Sequence, residues 1–118
     1  MADSARTVLV ADDSPVARAV LRKILVAAGF AILEAASLGE TRSLDSGTAL
    51  FAAVLDLDLG DGTGLEAARS LASSHPTLPF VFFTSEGDAP LADAARALAP
   101  VFIKPRECDR VLAWLENL

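Results

Sequence analysis

The chain has 118 residues, 53% of them hydrophobic, and its ten basic and sixteen acidic residues give a formal charge of −6. That is the length of one domain with enough apolar material for a core, which excludes disorder, and the acidic balance argues against a nucleic-acid groove. The lone Cys108 excludes an internal disulfide, and no apolar run reaches the roughly 18 residues of a membrane span.

Residues 1–5 form a short polar extension without a cleavage pattern, so one cytoplasmic domain over 1–118 is expected. "RTVLVA" (6–11) reads as a first strand. In "SPVARAVLRKILVAAGF" (14–30), Ser14 caps a helix and Pro15 suits its first turn. Val16, Val20, Leu21, Ile24, Leu25 and Ala28 repeat at helical spacing, Gly29 ends the helix and Phe30 covers that end. "AILEAA" (31–36) is a second strand. Ser37 and Glu40 form a capping-box pattern for a helix that Gly47 should end or interrupt.

"AAVLDL" (52–57) is the third strand, and Thr63 with Glu66 offers another capping box. Leu65, Ala68, Leu71 and Ala72 then give an apolar helical face up to Ser74. "LPFVFFT" (78–84) is the fourth strand. Pro90 opens a short helix carrying Leu91, Ala94, Ala95 and Leu98, "VFIK" (101–104) is the fifth strand, and the last helix carries Cys108, Val111, Leu112, Leu115 and Leu118.

The strands are continuously apolar, so both sheet faces are expected to be covered. Strands alternating with helices then predict an α/β fold with a parallel sheet, whose ligand crevice lies beyond the carboxyl ends of the strands. The polar residues sort themselves to those ends. Asp12 and Asp13 follow the first strand, Asp56 and Asp58 the third, Thr84, Ser85 and Glu86 the fourth, and Lys104 and Pro105 the fifth. Carboxylates gathered in one crevice repel, by about 4 kcal/mol for a pair 4 Å apart at an effective dielectric of 20. A hard divalent cation, Mg²⁺ or Mn²⁺, is the natural counter-charge, with Lys104 offsetting part of the rest. Such a carboxylate can attack a phosphoryl group, and Asp56, on the strand expected at the sheet centre, is the best nucleophile candidate.

"LVADDS" (9–14), "VLDLDLGDGTG" (54–64), "FFTSE" (82–86) and "FIKP" (102–105) resemble, in order and approximate spacing, the four signatures of the receiver domains of bacterial response regulators, the CheY-like modules of two-component signalling. The resemblance implies a flavodoxin-like doubly wound sheet of order 2-1-3-4-5 with helices on both faces. It implies Asp56 as phospho-acceptor and Asp12 and Asp13 as the acidic pair at the metal. The metal would be held by Asp13, Asp56 and the backbone carbonyl of Asp58. Thr84 would be the switch hydroxyl, Lys104 the phosphoryl-contacting lysine, and Lys104–Pro105 a cis peptide. Asp58 and Glu86 occupy positions that tune phosphoryl lifetime. The implied partners are a histidine kinase or phosphotransfer protein and a downstream protein, with no nucleic acid and no membrane. No turnover of an external substrate is expected.

Many receivers carry an aromatic switch residue where this chain has Val101; Phe102 is one residue out of register and should face the other side of the sheet. The span from Thr84 to Lys104 is slightly short, so a trimmed fourth helix or exit loop is expected. Two alternatives stand beside the phospho-acceptor. One is a docking module that works without phosphorylation. The other is a haloacid-dehalogenase-type phosphatase, suggested by the Asp-x-Asp of "DLDLG". Asp61 reads as a turn residue, His75 as a loop histidine, Trp114 as a packing residue and Cys108 as a small half-buried hydrophobe.

Overall fold

A computed structural model of the chain describes residues 6–85 and 90–118. Its strands are β1 (Thr7–Ala11), β2 (Ala31–Ala35), β3 (Ala52–Leu55), β4 (Phe80–Thr84) and β5 (Val101–Ile103). They form one sheet of order β2-β1-β3-β4-β5, every neighbouring pair parallel. The helices are α1 (Pro15–Ala27), α2 (Leu38–Arg42), α3 (Gly64–Ser74), α4 (Pro90–Arg96) and α5 (Cys108–Glu116). The expected fold class and strand order are both observed. The residue-1–5 extension lies outside the described residues, as does Glu86.

Period-two alternation divides the strand side chains between two cores. Val8, Val10, Val54, Val81 and Phe83 pack with Leu21 and Leu25 of α1 and Val111 and Leu115 of α5. Leu9, Ala11, Leu55 and Phe82 pack on the opposite face with Leu38 of α2, Ala67, Ala68 and Leu71 of α3, and Ala92 and Ala95 of α4. Each large side chain so buried contributes about 1.5–3 kcal/mol. Val101 and Phe102 fall on opposite faces, Val101 toward α2–α4 and Phe102 toward α1 and α5, as the one-residue offset requires. Trp114 is half-buried against the α1/α5 core.

The helix ends follow local chemistry. Ser14, Ser37 and Thr63 each cap with the side-chain oxygen, accepting from the N–H of Ala17, Glu40 and Glu66 respectively. Helix α1 closes in a Schellman motif. Gly29, at φ 96°, donates to the Val26 carbonyl and Phe30 to that of Leu25, while the Phe30 ring is buried.

Helix α2 stops at Arg42, well short of Gly47. Ser43 Oγ donates back to the Gly39 carbonyl at 2.8 Å, and Asp45 Oδ1 accepts from the Gly47 N–H at 3.1 Å. These short polar side chains offer the backbone partners that a longer helix would have to displace. His75, which caps the C-terminus of α3, anchors this loop: its Nε2 donates to the Thr48 carbonyl at 2.7 Å, and Nδ1 pairs with Ser74 Oγ at 2.8 Å.

Several positions assigned to apolar stripes face outward. Val16 and Val20 are exposed (73% and 45%), as are Ala72, Ala94, Leu98 and Leu118, while Ala67 and Ala92 take the buried places. Helix α4 has seven residues.

Candidate functional site

The order β2-β1-β3 means that the chain leaves β1 to one side and returns on the other. The crevice opens where those connections diverge, beyond the ends of β1 and β3. Ala11 and Leu55 are register partners, and the ladder continues one step further, with the Asp56 N–H donating to the Ala11 carbonyl at 2.9 Å. Asp12 and Asp56 are therefore brought side by side. The in–out alternation of β3 persists past its end. Leu55, Leu57 and Leu59 enter the core below, and Asp56 and Asp58 fall on the other side of the chain. An apolar run can therefore carry carboxylates without interrupting its burial.

Asp12 is 4% exposed, Asp56 7% and Thr84 1%. Lys104 Nζ donates to Asp12 Oδ2 at 2.6 Å and to Asp56 Oδ2 at 2.9 Å. Lys104 stays in register with β4 because its N–H donates to the Thr84 carbonyl at 2.9 Å, and the Lys104–Pro105 peptide is cis. Oxygens from Asp12, Asp13 and Asp56 lie within 4.8 Å of one another. The crevice, about 460 Å³, is lined by Asp13, Asp56, Asp58, Thr84 and Lys104, and by the apolar surface of Val16 and Val20. That is why these two valines, helically spaced, are not in the core.

Three carboxylates against one ammonium leave the cluster negative. Burial, and the adjacent charge of Asp12, push the Asp56 carboxyl above the ordinary range, while the Lys104 hydrogen bond opposes them. Burial works against the charged form of Lys104, but hydrogen bonds to Asp12 and Asp56 outweigh it and hold the ammonium above its ordinary pKa. An all-oxygen donor set with surplus negative charge fits a hard divalent cation. Asp13 and Asp58 are exposed and face the crevice mouth. Asp12 is the least available of the acids: its Oδ1 accepts from the Ser14 N–H at 2.9 Å and its Oδ2 from Lys104 at 2.6 Å, both shorter than the bonds to Asp56 from the Asp58 N–H (3.4 Å) and Lys104 (2.9 Å).

The raised pKa of Asp56 has a measurable sign. A group whose folded pKa lies above its unfolded value favours folding at low pH, and that contribution is lost as pH rises through the folded value. In chelator, Asp56→Asn is therefore expected to gain most over the parent at neutral pH, and the gap should narrow on acidification. Urea unfolding at several pH values reads this directly; a gap that widens in acid contradicts it.

Two contacts escape a sequence reading. Asp61, read as a turn residue, reaches across to cap α2, accepting from the N–H groups of Leu38 (2.7 Å) and Gly39 (2.9 Å). Those bonds, Gly39 first, hold its carboxyl below the usual range. Gly64 lies against the Asp56 backbone, where an added Cβ would meet the Asp56 carbonyl oxygen at 2.3 Å and Leu57 Cα at 3.1 Å. The only hint in the sequence is a glycine in the first turn of a helix, where propensity disfavours it. Gly64→Ala must displace backbone rather than a side chain, so a loss of about 1–3 kcal/mol is expected in urea unfolding. Asp58 also turns inward on its own loop, with Oδ1 accepting from the Gly60 N–H at 3.0 Å.

Comparison with known proteins adds four findings. The sequence profile of the response regulator receiver domain matches residues 8–112. The regulatory protein LuxO of Vibrio vulnificus is 38% identical over 66 residues, an alignment taking in 54% of this chain but only 15% of that protein. Among solved structures, a response regulator receiver protein from Sinorhizobium medicae superposes with a TM-score of 0.83 at 24% identity, over 97% of this chain and 94% of that one. A Burkholderia pseudomallei response regulator, solved with a phosphorylated aspartic acid, calcium ion and citrate, superposes with a TM-score of 0.78 at 27% identity, over 93% and 66%.

Proposed function

The chain belongs to the response regulator receiver domain family of two-component systems, and we propose that Asp56 is its phospho-acceptor, charged by the phosphohistidine of a histidine kinase or phosphotransfer protein. The observation that carries this reading is the placement of Asp56: buried at the end of the central strand, 2.9 Å from the Lys104 ammonium, and grouped with Asp12 and Asp13. The phosphorylated aspartic acid and calcium ion of the Burkholderia neighbour support it.

A carboxylate oxygen of Asp56 attacks phosphorus as the P–N bond of the donor breaks. The electron pair leaves with the donor imidazole, which takes up a proton. Lys104 is placed to neutralise charge on the transferred group, and the Thr84 hydroxyl lines the same crevice, from which it can hydrogen-bond a phosphoryl oxygen. Mg²⁺ (or Mn²⁺), held by Asp13, Asp56 and the Asp58 carbonyl, with Asp12 alongside, supplies further charge neutralisation when bound. Displacement of Thr84 and Lys104 toward the new charge, about −1.5 to −2, is the switch a downstream protein reads. The Asp58 side chain and Glu86 tune how long the adduct survives.

The module then acts in the cytoplasm, without turnover of an external substrate. No helix among the described residues is long and apolar enough to cross a membrane. The alignment covers only 15% of the curated relatives' length.

Acetyl phosphate with Mg²⁺ is expected to add one phosphoryl group, seen in the intact mass, and chelator is expected to prevent it. A chain that stays unmodified under these conditions is a docking module. A chain that steadily hydrolyses small phosphate esters is a phosphatase.

A further inference from the structure

Arg18 carries no part of the chemistry above, yet it is tied to the crevice. Its side chain is 15% exposed. Nη1 donates to the backbone carbonyl of Asp12 at 2.6 Å, and Nε donates to Glu34 Oε1 at 3.0 Å. Glu34 lies on β2 beside Val10 of β1 and also accepts from Arg22. Both arginines, Arg22 first, hold the Glu34 carboxyl below its ordinary range, so the anchor stays ionised.

Every polar group of Asp12 is engaged. Its N–H donates to the Ala35 carbonyl at 3.0 Å, Oδ1 accepts from Ser14, Oδ2 from Lys104, and the carbonyl from Arg18. That carbonyl is half of the peptide joining Asp12 to Asp13. Its orientation sets the direction in which the Asp13 side chain leaves the loop. Asp13 is exposed, so packing does not fix its direction.

We propose that Arg18 is a positioning residue for the divalent-cation site: anchored on Glu34, it locks the Asp12–Asp13 peptide so that the Asp13 carboxylate faces Asp56. The proposal rests on the reading of the crevice as a cation site. A simple staple between α1 and β2 is the competing role, and Arg22 separates the two. It shares Glu34, but its contact is to that carboxylate rather than to the Asp12 carbonyl.

The experiment is calorimetric titration of the whole chain with Mg²⁺, with melting temperatures recorded for each variant. Arg18→Met is expected to weaken Mg²⁺ by about 10-fold or more, the usual cost of losing a group that orients a metal ligand. Arg22→Met should bind as the parent does. Arg18→Lys should recover part of the affinity, because an ammonium can reach the carbonyl or Glu34 but lacks the fork that holds both. If Arg18→Met fails to fold, Glu34→Gln tests the same link by loosening the anchor, and weaker Mg²⁺ binding is expected there too. Parent-like affinity in Arg18→Met or Glu34→Gln, alongside lost affinity in Asp13→Asn, overturns the proposal, as does an equal loss in Arg22→Met. Mg²⁺ binding that survives Asp13→Asn overturns the cation-site reading itself, and the proposal with it.

Discussion

Asp56→Asn is expected to yield no phosphoryl adduct with acetyl phosphate and Mg²⁺, while the protein stays folded. The amide has the shape of the carboxylate, still offers Lys104 an acceptor oxygen and removes a buried charge, so the fold is kept and, in chelator at neutral pH, is more stable than the parent. It has neither the charge nor the nucleophilicity to form an acyl phosphate. Asp12 and Asp13 do not substitute for it. Asp12 is held more tightly than Asp56, at 2.9 Å from the Ser14 N–H and 2.6 Å from Lys104 against 3.4 Å from the Asp58 N–H and 2.9 Å from Lys104, and Asp13 sits exposed at the crevice mouth. Intact-mass measurement on parent and variant, side by side, gives the answer. An adduct of undiminished yield in the variant sinks the assignment and moves the acceptor elsewhere in the crevice.

Lys104→Met is expected to cost more stability than any other single change at the site, on the order of 3 kcal/mol, because it leaves buried like charges without their counter-ion. Methionine keeps the length and apolar stem, so what is lost is the ammonium's pair of bonds to Asp12 and Asp56. The sign with pH is defined. Lys104 has a raised pKa, so its contribution is complete below the unfolded value, about 10.4, and is lost only as pH climbs through the folded one. Across neutral pH the parent should show no change from this group. The variant should regain stability on acidification, as its unpaired acids take up protons, and also on adding Mg²⁺, which replaces the missing charge. Urea unfolding with and without Mg²⁺ measures both, and a variant as stable as the parent in chelator rules the argument out. Phosphoryl uptake should fall as well, since the transferred group loses a positive neighbour.

Much of this was legible from residue types and order. A continuously apolar strand followed by acids is readable because period-two geometry is rigid. The Leu-Asp alternation of residues 55–59 can only place its two sets on opposite sides. The Ser14, Ser37 and Thr63 caps are equally local, since an oxygen and an N–H three residues on make the bond. What failed depended on neighbours. Val16 and Val20 satisfy helical spacing with Leu21 and Leu25, but α5 and the sheet cover only the latter pair. Ala72, Ala94 and Leu98 were lost in the same way. The length of α2 was misjudged because its weak apolar stripe gave Ser43 and Asp45 little to compete against. The contacts of Arg18, Asp61 and Gly64 depend on how the chain folds back on itself, over six residues for Arg18 with Asp12, eight for Gly64 with Asp56 and 23 for Asp61 with Leu38, and none follows from a helical or strand period.

The Asp61 cap has a mechanical outcome. The loop leading away from Asp56 is bolted to α2 through two backbone amides, and Gly64 is wedged against its first carbonyl. If Asp56 is the acceptor, a new negative group there would meet a clamped flank on that side, and displacement would be left to the opposite flank, where β4 and β5 bring Thr84 and Lys104.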